Sequence, residues 1–166
     1  DDRGLVEERT DALNFKTFYE YTAAGQLKKL TDRNNDLTQF TYTDSGKLDV
    51  ITYQGGATVN FNYDNRDRLT QMIDSTGTTT NAYDEAGRLT GHTDSNGHTV
   101  GYGYDAAGNV TSVTYPGNKT VTYSYDTLNR LDTVTIGWLN KTMQYHYDDA
   151  NRLDSVEHFN DMQTDY

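Results

Sequence analysis

The sequence predicts an all-β protein built from tandem hairpins, each about 21 residues long. Three observations carry this. The octet YDEAGRLT, residues 83–90, returns as YDNRDRLT from Tyr63, YDAAGNVT from Tyr104, YDTLNRLD from Tyr125 and YDDANRLD from Tyr147. Looser copies stand upstream, YTAAGQLK from Tyr21 and YTDSGKLD from Tyr42. Before each tyrosine runs an alternation of large and small or polar residues, and no segment carries a helical period.

The first strand of each repeat is that alternation. Val121, Thr122, Tyr123, Ser124 and Tyr125 set large residues at every second position, as do the segments that end at Tyr63, Tyr104 and Tyr147. A period of two is the mark of a half-buried strand. Four residues after the motif tyrosine come Gly25, Gly46, Asp67, Gly87, Gly108, Asn129 and Asn151. Gly, Asn and Asp tolerate positive φ, so this position predicts a turn that closes a hairpin. The second strand opens on Leu27, Leu48, Leu69, Leu89, Val110, Leu131 or Leu153. Three residues on come Leu30, Ile51, Met72, His92, Val113, Val134 and Val156, a gap that breaks alternation. Either a bulge lies between them or the first of each pair is still held by the turn. A second turn then follows. Pro116 and Gly117 suit a type II turn, and Asn96 with Gly97 suits a two-residue hairpin loop.

Composition narrows the class further. Only 34% of the 166 residues are hydrophobic, and that share includes 14 tyrosines, so a thick core is not expected. Aromatics that recur in register argue against the disorder that a net charge of -11 would otherwise suggest. There is no cysteine, hence no disulfide staple. No apolar run approaches a membrane span, and the acidic balance disfavours nucleic acid. Of 25 acidic residues 20 are Asp, the one that shapes turns by bonding its own backbone.

The tandem YDxxGRLT-type motifs resemble the YD repeats of the Rhs family, which includes bacterial wall-associated proteins, the B and C subunits of insecticidal toxin complexes, and teneurins. The resemblance runs from about Phe15 to the end of the chain. It implies that residues 1–14 are a lead-in and that 15–166 are about seven hairpins, the last truncated, in a piece of a longer protein. It further implies one extended, curved antiparallel sheet, the arc of a spiral shell that encloses another part of the polypeptide, often a toxin. About fourteen strands at ~4.8 Å spacing would extend ~65 Å. The implied setting is secreted or cell-surface, as in polymorphic toxins. The implied partners are the rest of the same polypeptide or an encapsulated domain, with self-association through free edge strands.

The candidate residues follow the repeat. Tyr63, Tyr83, Tyr104, Tyr125 and Tyr147 are structural. So are the Asp and Arg four apart: Asp64 with Arg68, Asp84 with Arg88, Asp126 with Arg130, Asp148 with Arg152. These predict ion pairs across the turn. Asp105 stands with Asn109 instead, and Gly87 and Gly108 fill the turn position. A glycosidase needs two carboxylates at fixed separation, but these Asp recur with the turns, so no catalysis is expected. His92, His98, His146 and His158 lack metal-ligand spacing, and His92 sits in an apolar position. No cofactor is expected, with calcium at the Asp- and Asn-rich turns the alternative. Tyr102, Tyr123 and Tyr145, two residues before motif tyrosines, form cross-strand rows. With the single Trp138 they carry the alternative reading, a carbohydrate-binding module that stacks sugars on exposed aromatics.

Overall fold

The computed structural model describes residues 1–159 and 162–166. They form two compact units, Asp1–Thr80 and Asn81–Tyr166. The first unit holds β1 (Glu8–Thr10), β2 (Lys16–Tyr21), β3 (Leu27–Thr31), β4 (Leu37–Tyr42), β5 (Leu48–Tyr53), β6 (Thr58–Tyr63) and β7 (Leu69–Asp74). β8 (Gly77–Tyr83) begins in it and ends in the second. The second unit continues with β9 (Leu89–Thr93), β10 (Thr99–Tyr104), β11 (Val110–Tyr115), β12 (Lys119–Tyr125) and β13 (Leu131–Ile136). After a 3-10 turn (Gly137–Leu139) come β14 (Lys141–Tyr147), β15 (Leu153–Glu157) and β16 (Gln163–Asp165). The strands add in chain order into one open antiparallel sheet. Sixteen strands rather than fourteen arise because short strands flank the repeats, β1 from the lead-in and β16 at the end.

The gap of three in the second strand is a bulge. Tyr125 pairs with Leu131 but Ser124 pairs with Thr133, so Asp132 is the extra residue. The same shift recurs after Tyr21, Tyr42, Tyr63, Tyr104 and Tyr147. The bulge restores the face. It places Leu131 and Val134 on one side of the sheet, opposite Tyr125 and Tyr123. Within each unit one face is therefore apolar. Tyr19, Phe40 and Phe61 stand across from Leu30, Ile51 and Met72 in the first. Tyr102, Tyr123 and Tyr145 stand across from Val113, Val134 and Val156 in the second. The other face carries Thr, Ser, Gly and charged residues, among them Gly103 paired with Ser112 and Gln144 paired with Glu157.

A single layer has nothing to bury this face against. Among the described residues only Val121, Val134, Val156 and Ser155 are buried, all in the second unit. Most of the rest of the apolar face is half-covered by its cross-strand neighbours, while Tyr53 and Tyr115, at strand ends on that face, are exposed.

The turn position behaves as its residue types require. Gly25, Gly46, Gly87, Gly108, Asp67, Asn129 and Asn151 all have positive φ, from 60° at Asp67 to 97° at Gly108. The second turn differs from expectation at Asn96 and Gly97. Thr93 pairs with Thr99, so the loop spans five residues, 94–98, rather than two. The reason is Asp94, whose Oδ1 accepts the backbone N–H groups of Asn96 and His98 and holds the wider loop.

A Cβ added at Gly108 meets nothing within 4 Å, so only its backbone is at stake. Gly108→Ala should destabilise the chain by about 1–2 kcal/mol. Gly108→Asn should cost distinctly less, because Asn129 and Asn151 hold the same conformation. Urea unfolding of the two variants checks the order.

Candidate functional site

The feature repeated along the chain is the motif loop with the tyrosine that follows it one hairpin later. In the loop of residues 126–130, Oδ1 of Asp126 accepts the N–H groups of Leu128 and Arg130, each at 2.9 Å. Backbone bonds close the same loop, Asp126 N–H to the carbonyl of Arg130 and Asn129 N–H to that of Asp126. Oδ2 of Asp126 receives Nε of Arg130 at 2.7 Å. Asp64 with Arg68, Asp84 with Arg88 and Asp148 with Arg152 are built alike. In the loop from Asp105 the Nδ2 of Asn109 takes the guanidinium's place at 2.9 Å. Where Thr22 and Thr43 replace Asp, the hydroxyl still accepts the N–H of Gln26 or Lys47, and no ion pair forms in the loop.

These contacts set the electrostatics. The N–H of the residue four on, above all, holds the carboxyls of Asp64, Asp84, Asp94, Asp126 and Asp148 below the usual range. The Asn109 amide does so for Asp105, and the Thr76 hydroxyl for Asp74. Burial pushes the phenols of Tyr42, Tyr63 and Tyr123 up.

The motif tyrosine reaches back to the preceding hairpin. Its hydroxyl donates to the carbonyl of the residue that opens that hairpin's second strand. Tyr42 bonds Leu27 at 2.6 Å and Tyr63 bonds Leu48 at 2.8 Å. Tyr104 bonds Leu89 at 2.8 Å, Tyr125 bonds Val110 at 2.9 Å and Tyr147 bonds Leu131 at 2.9 Å. Tyr21 does the same to Val6, which shows why the lead-in is ordered. The guanidinium of Arg88 lies 4.6 Å from the Tyr104 ring centre, and that of Arg130 lies 4.3 Å from Tyr147. One arginine thus pins its own loop and covers the next tyrosine.

Neighbouring loops are also joined directly. Gln26 donates to the Gly46 carbonyl and Ser45 to Asp67. Arg88 donates to the Asp105 carbonyl, Asn109 to Asn129, and Arg130 to Asn151. Sequence reasoning found the ion pairs but missed the tyrosine hydrogen bond and these handovers. The recurring polar residue five after each tyrosine, from Gln26 to Arg152, was the available signal.

The remaining candidates lie apart from this seam. Tyr102, Tyr123 and Tyr145 are half-buried in the apolar row. Trp138 sits in the 3-10 turn, 44% exposed, edge-on to Tyr115. His92 and Asn81 replace the usual aliphatic and aromatic residues of the row, and Nδ1 of His92 donates to Oδ1 of Asn81 at 2.8 Å. Asn81 was the partner that sequence reasoning lacked. Among the described residues no three His, Asp or Glu gather as a metal site, and no helix is long and apolar enough to cross a membrane.

Comparison with known proteins agrees with this architecture. Residues 83–120 and 105–138 match the sequence model of the RHS Repeat family. No curated protein sequence is a significant match. The fold is similar to a mutant Tc holotoxin pore of Photorhabdus luminescens, with TM-score 0.68 and 20% identity over 91% of this chain and 9% of that one. It is also similar to TcdB2-TccC3 without its hypervariable C-terminal region, with TM-score 0.68 and 20% identity over 90% of this chain and 10% of that one. The chain therefore spans about a tenth of the length of either. The class these features define is the hairpin-repeat sheet, and the repeats within residues 83–138 match the RHS Repeat family, as the motifs suggested.

Two outcomes test the seam. Tyr125→Phe removes one hydroxyl and leaves the ring, and should cost about 0.5–1.5 kcal/mol in denaturant unfolding. Carboxyls held below ~3.9 contribute stability that is complete above that pH and lost as pH falls through their folded values. The melting temperature should fall steeply below about pH 4, and less steeply in Asp126→Asn. Superimposable acid profiles in calorimetry would contradict the assignment.

Proposed function

We propose that the chain is a wall segment of a secreted or cell-surface YD-repeat shell. It encloses or displays another part of the polypeptide, such as a toxin, and has no catalysis of its own. The observation that carries this is the single-layer sheet, with one face apolar and only half-covered. An apolar face of this extent calls for a cover. The likeness to Tc toxin structures supports a cover contributed by the same polypeptide. The motif loops serve this role as fasteners. Their Asp residues are consumed in turn bonds and ion pairs, which leaves them poorly placed as acid-base pairs. β1 and β16 offer edges for further repeats or for a second copy. A carbohydrate-binding module is the second reading, and exposed Trp138 favours it.

These 166 residues contain no cysteine, so maleimide labelling mapped to this segment reports only the introduced thiol. In the full polypeptide, a thiol introduced as Val113→Cys on the apolar face should resist a polar maleimide. A thiol introduced as Thr122→Cys on the polar face should react. Equal reaction at both positions would count against an enclosing wall.

A further inference from the structure

The sixth repeat departs from the others where β11, β12, β13 and β14 meet their linking turns. Its motif tyrosines, Tyr125 and Tyr147, are 22 residues apart, and the added length forms the 3-10 turn that carries Trp138. That turn is seated closely. A Cβ at Gly137 would stand 3.0 Å from the Thr120 carbonyl oxygen, so glycine lets the turn approach β12. Trp138 and Tyr115 meet at 6.3 Å and 84°, leaving two perpendicular aromatic faces, 44% and 42% exposed. Pro116 and Leu139 extend the same exposed surface.

The polar groups beside this corner are unused. Lys119, directly across from Tyr115 in the register, forms no ion pair among the described residues. The side-chain amides of Asn118 and Asn140, each in left-handed backbone at an exposed turn, form no hydrogen bond among them either. The charge is also reversed locally. Residues 111–125 and 133–147 contain neither Asp nor Glu, yet each holds one Lys, in a chain of net charge -11. In the motif loops, by contrast, Arg88, Asn109 and Arg130 are tied to the next loop.

We infer that the Tyr115 and Trp138 corner is a binding site for a carboxylated saccharide. A sugar ring stacks on one aromatic face, Lys119 meets its carboxylate, and Asn118 and Asn140 meet its hydroxyls. Flat aromatic faces suit the C–H side of a pyranose. Lys119, in an acid-free patch whose other lysine, Lys141, lies over the Phe159 ring, selects for negative charge. Tyr115 and Lys119 stand on the same face as Val113 and Val121 but at the ends of β11 and β12, so the site lies at the margin of the second unit's apolar face and rests on that margin being left open.

Trp138 is the only tryptophan, so its emission reports on this site alone. The chain is titrated with an oligogalacturonate and, in parallel, with neutral maltohexaose. The expected result is a saturable emission change with the acidic sugar and a response at least about tenfold weaker with the neutral one. Lys119→Gln, at an exposed position, should weaken acidic binding by about tenfold, and Tyr115→Ala should abolish it with an unchanged circular dichroism spectrum. No saturable change, equal binding of the two sugars, or parental affinity in Lys119→Gln would overturn the inference.

Discussion

The motif tyrosine is the residue on which the rest of the array depends. A sheet one layer thick has no core, so each hairpin is held by its neighbours or not at all. The phenol meets this constraint with one side chain. Its ring fills the apolar row beside Leu or Val, and its hydroxyl satisfies a backbone carbonyl in the hairpin before it. Phenylalanine could fill the row but not reach the carbonyl with a donor. Serine could bond only at short range and would leave the row empty. Two positions earlier, where only packing is asked, Phe40 and Phe61 alternate freely with Tyr102 and Tyr123.

The loop chemistry is arranged around the same constraint. Asp at the first loop position organises two backbone N–H groups with one oxygen and receives Arg with the other. The loop then has one conformation, so the arginine projects to a fixed place over the next tyrosine. Exposed ion pairs contribute little as isolated contacts. Here their value is geometric, because a fixed arginine both covers a ring and reaches the following loop. The substitution patterns agree. Where Thr22 replaces Asp, Gln26 replaces Arg, and the amide still crosses to the next loop at Gly46. The paired change at Asn81 and His92 obeys the same logic within the apolar row, a polar residue being admitted only with its hydrogen-bonding partner.

The repeat, the strands, the left-handed turn position and the within-loop pairs were legible in the sequence, because each rests on residues a few positions apart. Alternation of two fixes strand faces, Gly, Asn and Asp mark positive φ, and an Asp to Arg spacing of four spans one turn. Tertiary structure decided what joins one hairpin to another. The Tyr125 hydroxyl and the Val110 carbonyl are fifteen residues apart. No local pattern says which carbonyl a phenol will reach, since that depends on strand order and on the bulge that resets register at Asp132. Asn96 and Gly97 read as a tight hairpin, but the Asp94 carboxylate accepts the N–H groups of Asn96 and His98 and holds a wider loop. Trp138 likewise gave only its presence. Its perpendicular contact with Tyr115 exists because β11 and β13 flank β12 and both end beside its start, Tyr115 across from Lys119 and Ile136 across from Val121.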